Sequence, residues 1–434
     1  MNEALLTPIV KALSSTDPLD PADPGGDFKR LYVDNLHPGK FGGALGQLRR
    51  EIQGAEGGHH IYLFSGTVGS GKSTELRRLA GDLRSPTRFV SVVNITDYLN
   101  PEQELNFADL LLAMAMGLLE DMAGQFHWDS PAARIWDGLK GLLGAEVGLG
   151  EFDLKVVKLN LRQRSGFRDQ LRQRFEASPG EFLAQTQRFF EHLAQESGRA
   201  QRVLIVDSLE HFGGRRGKDD PILKSLRAVF QEHTDAMRLP GWQTIYSVPP
   251  LLPKLAPGVL AVVGAARLYQ LTSAHVYLDR TERPDEPMLA QLTDLINRRC
   301  GGAEGRRRFV GDAELQRVIL GCGGDLRDLL RLLKLAALFA FDAPTLPIDD
   351  TIVDAVFDDW RNAYLPLAKD TTQRLAAVLA NKEPQVDTED DWFSVMSDLA
   401  EKRVLLYRNG TDWYDVHPLL RDAVRVAAGA PPAP

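Results

Sequence analysis

The sequence predicts an α/β protein: a five-stranded parallel sheet covered by helices, with a helical insertion, a helical lid and a C-terminal winged helix. Three observations predict it. Five apolar, β-branched runs alternate with helical stretches between residues 61 and 278, the pattern of a parallel sheet buried on both faces. A glycine-rich loop joins the first of these runs to an amphipathic helix. From 285 onward the periodicity is helical until two alternating runs meet at Asn409-Gly410, a hairpin signal.

Composition bounds the class. A chain of 434 residues exceeds one ordinary core and predicts two or three domains. With 44% hydrophobic and 25% charged residues it is globular rather than disordered. The net charge of −8 argues against a wholesale nucleic-acid coat and leaves room for a local basic patch. Cys300 and Cys322 are too few for a disulfide framework, which predicts free thiols and a cytoplasmic setting. The start, Met1 to Leu6, lacks the basic region and long apolar run of a signal peptide. The most apolar stretch, Leu110 to Leu119, is about half the length of a membrane span, so it reads as a buried helix and no membrane partner is expected.

In chain order, residues 1–27 form an arm: a short helical piece, then the Pro/Asp/Gly segment Asp17 to Gly26. The core, 28–284, begins with a helix near Gly43 to Gln53, a strand from Ile61, the helix after the glycine loop, and a strand at Arg88 to Ile95. About 100–200 is a helical insertion, in which Phe152 to Leu159 suits a short hairpin arm or a helix start. Arg162, Arg164, Arg168, Arg172 and Arg174 spread over more than one helix face, which reads as a solvated surface rather than a nucleic-acid stripe. Strands return at Arg202 to Asp207, Gln243 to Val248 and Ala274 to Leu278. The lid, 285–365, carries helices at Met288 to Arg299, Asp312 to Leu320, Gly323 to Ala336 and Asp349 to Tyr364. In 366–427, helices at Thr371 to Asn381 and Asp390 to Lys402 precede the hairpin Val404 to Val416, the order of a winged helix, and 428–434 is a tail.

The chemistry concentrates in Gly66-Thr67-Val68-Gly69-Ser70-Gly71-Lys72-Ser73, which fits G-x-x-x-x-G-K-[ST] between a strand and a helix. Gly66, Gly69 and Gly71 let backbone NH groups close on a polyphosphate, and Thr67, Val68, Ser70 and Thr74 complete the cradle. Lys72 supplies a point charge at the β and γ phosphates, and the helix starting near Ser73 adds its dipole. The Ser73 hydroxyl suits Mg2+, so ATP or ADP with Mg2+ is the expected cofactor set. A nucleotide hydrolase also needs an acidic site after a second buried strand. Asp207, following Val203 to Val206, suits the metal, and Glu210 suits the base that orients a water. The alternative for both is an acidic surface turn after a core strand.

Together, the phosphate loop, the Asp207 strand, a strand ending in Ser247 and the Gly-Gly-Asp-Leu-Arg327 segment resemble an AAA+ type ATPase. Within that group the chain is similar to the STAND (NACHT-like) and origin-recognition branches, where a helical lid and a winged helix follow an ASCE P-loop core. The resemblance spans roughly 28–425. It implies that Ser247 senses the γ-phosphate and that Arg327 reaches the phosphates from the lid; on its own helix Arg327 could equally serve an i,i+4 pair. Arg298 and Arg299 suit a helix C-terminus, or else an arginine finger toward a neighbouring subunit. Ser208 stands where AAA+ proteins usually carry a second acid. His417 is similar in position to the winged-helix histidine that locks ADP in STAND proteins; its other reading is a turn residue.

The resemblance implies an ATP-hydrolysing switch that self-associates and controls a separate effector or sensor protein, as in bacterial defence or signalling. One alternative is a DNA-binding initiator or transposition regulator. Its reading helix would be the segment holding Glu389, Asp390, Asp391, Asp398 and Glu401 against Lys402 and Arg403, an acidity that disfavours DNA as partner. The other alternative is a nucleotide-bound scaffold without turnover.

Overall fold

The structure, a computed structural model, describes residues 2–429 apart from 16, 35, 38, 40, 41, 56, 58, 124–129, 143–157, 164, 214–216, 265–267 and 409. The sheet contains β1 (Ile61–Gly66), β2 (Arg88–Asn94), β3 (Gln201–Asp207), β4 (Gln243–Val248) and β5 (Tyr269–Leu271), all parallel, in the order β2-β3-β4-β1-β5. Alternate residues of each strand enter different cores, as the two-residue repeat of a strand requires. Phe64 and Ile205 face Leu76, Leu79 and Leu48, from the helices Lys72–Leu83 and Gly43–Gly54. Leu63, Leu204 and Val206 join the opposite core with Leu111, Phe189 and Phe190 of the insertion. Both faces are therefore dry, which explains why these strands read as unbroken apolar runs.

The fifth strand differs from the sequence expectation. It is Tyr269–Leu271, paired with Phe64 to Gly66, and not Ala274 to Leu278. The latter run is apolar because Ala274, Val276 and Tyr277 pack into the lid core. Its amides bond locally or to the lid, Ala274 N–H to the Gly324 carbonyl at 3.1 Å and Leu278 N–H to the Arg283 carbonyl at 2.8 Å.

The insertion is helical, with Phe107–Asp121, Pro131–Leu142, Ser165–Ala177 and Pro179–Glu196. Leu110 to Leu119 lies buried within the first of these, and among the described residues no helix is long and apolar enough to cross a membrane. The Phe152 to Leu159 expectation falls, up to residue 157, outside the described residues. Arg168 departs from the solvated-face reading. It is buried, and its guanidinium donates to Asp109 at 2.8 Å, to Gln103 at 2.5 Å and to the Glu104 carbonyl. It ties two insertion elements together, a long-range role that helix periodicity does not encode.

The lid comprises Glu286–Arg299, Asp312–Gly321, Leu326–Phe339 and Asp350–Asn362, with a further short helix, Ala303–Phe309. The N-terminal helix Asn2–Ser14 inserts Leu6, Ile9 and Leu13 into the same core. After Lys369–Asn381 and Asp391–Ala400 come β6 (Val404–Arg408) and β7 (Asp412–Val416), antiparallel with Val404 opposite Val416. β6 joins two layers, because Leu405 and Tyr407 enter the lid core whereas Leu406 enters the insertion-side core. Tyr407 fixes this by donating its hydroxyl to the Gly323 carbonyl at 2.5 Å.

Candidate functional site

The phosphate loop leaves the end of β1 and turns into the helix Lys72–Leu83 through Gly69 (φ 97°) and Gly71 (φ 87°), both in the left-handed region that glycine supplies without strain. Ser70 braces the loop, donating its hydroxyl to the Thr67 carbonyl at 2.8 Å. Lys72 projects to the carboxyl ends of β3 and β4, where Asp207, Glu210 and Ser247 converge.

These side chains form one buried network. Lys72 Nζ lies 3.5 Å from Asp207 Oδ1 and in direct contact with Glu210 Oε1. The other oxygen of Glu210 accepts from the Ser247 hydroxyl at 2.6 Å. The pairing of β4 between β1 and β3 puts Ser247 opposite Phe64, within reach of both acidic and phosphate-loop groups. Burial opposes the Lys72 charge, but Glu210 and Asp207 outweigh it and raise its pKa. Burial also opposes the Asp207 charge, and Lys72 with the Ser73 hydroxyl prevails and holds its carboxyl below the ordinary range. The ionised pair is thus stabilised by its own geometry. His211 contributes a ring 3.6 Å from Glu210, and burial lowers its pKa against the pull of that carboxylate.

A cleft opens over this network. The phosphate loop, Ser73, Thr74 and Glu210 form its floor, and Leu326 and Arg327 come from the lid. The N-terminal arm closes one side: Leu19 N–H donates to Thr74 Oγ1 at 3.1 Å, and Arg77 donates to the Pro18 carbonyl at 3.1 Å. Val33, Leu36, Leu295 and Leu330 make the remaining walls largely apolar. Mg2+ is held by a few hard oxygen ligands, with phosphates and waters completing the shell. The Ser73 hydroxyl lies against the Asp207 carboxylate, so this oxygen pair fits that ion.

Of the residues singled out from sequence, Gly66 through Thr74, Asp207, Glu210, Ser247 and Arg327 meet at this cleft or directly beneath it. His417 does not. Its ring is fully buried, stacked on Trp360 with centroids 4.1 Å apart, and its Nδ1 accepts from Leu419 N–H at 3.4 Å. Burial pushes it down to about 3, so it packs as a neutral ring, outside the residues that line the cleft. A buried ionic link between lid and C-terminal unit is Lys402, whose Nζ sits 2.8 Å from Asp325 and 2.7 Å from Asp328.

Sequence reasoning missed Lys402, His37 and the apolar walls. Asp325 carried a partial signal: it caps the helix Leu326–Phe339 through Asp328 N–H at 2.8 Å, as the Gly-Gly-Asp entry suggests. It also touches the phosphate loop, since a Cβ on Gly69 would lie 2.5 Å from Asp325 Oδ2. His37 packs beside Gly71, and burial, with His275 nearby, lowers it to about 4.

No protein-family model matches the chain, and no curated protein matches it either. Several solved structures are similar. The Walker-type ATPase PABY2304 of Pyrococcus abyssi aligns at 12% identity over 88% of this chain and 94% of that one, with a TM-score of 0.43. The Aeropyrum pernix ORC2 protein in its ADPNP–ADP complexes aligns at 11% identity over 92% and 96%, with a TM-score of 0.41. Cdc6p from Pyrobaculum aerophilum aligns at 15% identity over 99% and 97%, with a TM-score of 0.38. At such scores the likeness goes no further than general chain course, and the chemistry of the cleft rests on its own geometry: an α/β P-loop core with a glycine-lined phosphate loop facing a buried lysine, two carboxylates and a serine.

Proposed function

We propose that the chain binds a nucleoside triphosphate, ATP with Mg2+, in this cleft, hydrolyses it slowly, and uses the occupied and empty states to set how the lid and C-terminal unit sit on the core. The observation that carries this reading is the buried Lys72–Glu210–Ser247 network under the lid arginine. Lys72 and Ser247 both engage Glu210. Arriving phosphates offer Lys72 a stronger partner, which releases a Glu210 oxygen to orient water for in-line attack. Ser247 then reports on the same carboxylate. The Ser73 hydroxyl and the Asp207 carboxylate are the groups that would hold Mg2+, whose chemistry there would be neutralisation of phosphate charge. Arg327, on the cleft wall, is the group that would couple lid position to the phosphates.

Control of a partner protein, or self-association, is the use to which such a switch would be put. The DNA-binding alternative is weakened by the helix Asp391–Ala400, in which Phe393 to Leu399 are all buried. A helix packed on that many consecutive positions offers little surface to a groove. Equilibrium binding of Mg-ATP to the wild type and Lys72→Ala, with phosphate release measured in parallel, tests the reading. Binding and turnover that depend on Lys72 are expected, and equal affinity in the two proteins would sink it. Binding without release would favour the scaffold alternative.

A further inference from the structure

The Gly-Gly-Asp turn that opens the helix Leu326–Phe339 is packed from four sides. Tyr407 of β6 donates its hydroxyl to the Gly323 carbonyl at 2.5 Å, and the Gly324 carbonyl accepts from Ala274 N–H at 3.1 Å. Lys402 of the C-terminal unit reaches Asp325 Oδ1 at 2.8 Å. On the fourth side lies the phosphate loop. Gly69 (φ 97°) has no side chain, and a Cβ there would lie 2.5 Å from Asp325 Oδ2 and 2.6 Å from Oδ1, so the carboxylate rests against the loop backbone.

Charge makes that contact unusual. The backbone of a phosphate loop, with its lysine, gathers the β and γ phosphates, yet here the lid sets an anion against it. Helix capping alone does not ask for one: Asp325 Oδ1 accepts from Asp328 N–H at 2.8 Å, and a neutral Asn or Ser caps as well. Nor does Lys402 cancel the charge. It also lies 2.7 Å from Asp328, so one ammonium serves two carboxylates, and Arg331 adds only a largely exposed cation 3.9 Å from Asp328. Asp325 is 2% exposed and is not among the residues that line the cleft. Its field reaches a bound phosphate across Gly69, through a medium that screens less than water does.

We propose that Asp325 sets the preference between nucleoside diphosphate and triphosphate, opposing the added charge of a γ-phosphate from behind the loop, and that Lys402 carries this opposition to the C-terminal unit. This rests on the reading of the cleft as a nucleotide site. Asp325 acts through the loop as a positioning residue and does not touch the ligand. A triphosphate pushes the lid turn away from the loop more than a diphosphate does. Because Lys402 and Tyr407 are fastened to that turn, the C-terminal unit and its hairpin loosen with it. The coupling is reciprocal: a docked C-terminal unit holds the carboxylate against the loop and so favours the diphosphate.

The experiment is equilibrium binding of ADP and of a non-hydrolysable ATP analogue, each with Mg2+, to the full chain as wild type, Asp325→Asn and Lys72→Ala, together with hydrogen exchange of the amides of 401–408 in each nucleotide. Asp325→Asn keeps the cap and the shape and removes the charge. It is expected to shift affinity toward the ATP analogue relative to ADP by about fivefold or more, the lower end of a coupling between sites. In the wild type the 401–408 amides exchange faster with the ATP analogue than with ADP, and in Asp325→Asn the two rates converge. An unchanged ratio of the two affinities, a shift toward ADP, or an exchange difference that survives in the variant each overturns the assignment. A merely structural loss weakens both nucleotides alike and so leaves the ratio unchanged. Asp325→Ser, a second neutral cap, gives the same shift if the asparagine variant does not fold. Failure of the site itself is read separately: a wild type that binds neither nucleotide, or a Lys72→Ala protein that binds both as well as the wild type does, removes the nucleotide reading and this inference with it.

Discussion

Replacing Lys402 by Met isolates what fastens the C-terminal unit to the lid. Lys402 Nζ lies 2.8 Å from Asp325 and 2.7 Å from Asp328, and the three side chains are only 9%, 2% and 3% exposed. A methionine of similar length preserves packing and removes the cation, leaving two carboxylates facing each other out of water. Removing one partner of a buried ion pair costs about 3–5 kcal/mol, and the second carboxylate places the expected loss toward the upper end. The pH dependence has a definite sign. Burial raises the Asp325 carboxyl, Lys402 opposes that, and Asp328 adds to it. A carboxyl raised by folding contributes its stability below the ordinary carboxylate range and loses it as pH rises through the folded value. Without Lys402 that value rises further, so the deficit is smallest in acid and grows toward neutral pH. Urea unfolding of wild type, Lys402→Met and the double variant Lys402→Met with Asp328→Asn, in acid and at neutral pH, measures this. The double variant should recover much of the loss. A single-variant loss below about 1 kcal/mol, the scale of an exposed pair, or a loss that does not shrink in acid, would refute the picture of a buried three-member clamp.

Other outcomes follow from the same geometry. Glu210→Gln should retain Mg-ATP binding and lose turnover by roughly a hundredfold or more, read by phosphate release, and wild-type turnover would reassign the base. Gly69→Ala places a side chain at φ 97° and 2.5 Å from Asp325 Oδ2, so it should cost about 1–3 kcal/mol of stability and weaken nucleotide binding together. His417→Ala should cost about 1–3 kcal/mol by emptying the stack on Trp360 while leaving nucleotide release unchanged; faster release of a fluorescent ADP would restore the phosphate contact. Because folding lowers His417 from 6.5 to about 3, the unfolded chain takes up its proton first, and stability contributed by the neutral ring is lost as pH falls through that window. His417→Phe should flatten that decline in urea midpoints.

How much could be read in advance depended on whether the signal was local. The phosphate loop was legible because anion binding by backbone NH groups demands glycine at fixed spacing and a helix start beside it. Four of the five strands were legible because burial on both faces leaves an apolar run ended by a polar residue, Asp207 or Ser247. The fifth was misplaced because apolar residues record burial and not the partner that provides it, and Ala274 to Leu278 is buried against the lid.

What only the tertiary structure decided are the contacts made across the chain. Glu210 meets Lys72 from 138 positions away, and Lys402 meets Asp325 from 77. The side of a helix on which a charge finds its opposite is set by how helices pack, not by the spacing of charges within one. Arg168 illustrates it, since its helix reads as solvated until the buried Asp109 arrives from another element. His417 illustrates the converse. A histidine before a proline at a strand end has a recognisable local setting, but whether its ring meets a phosphate or an indole depends on where the lid places Trp360. The sequence by itself determined which backbone can hold a phosphate. The packing of lid, arm and C-terminal unit determined which side chains surround it, because desolvation and ion pairing act through space and are not written along the chain.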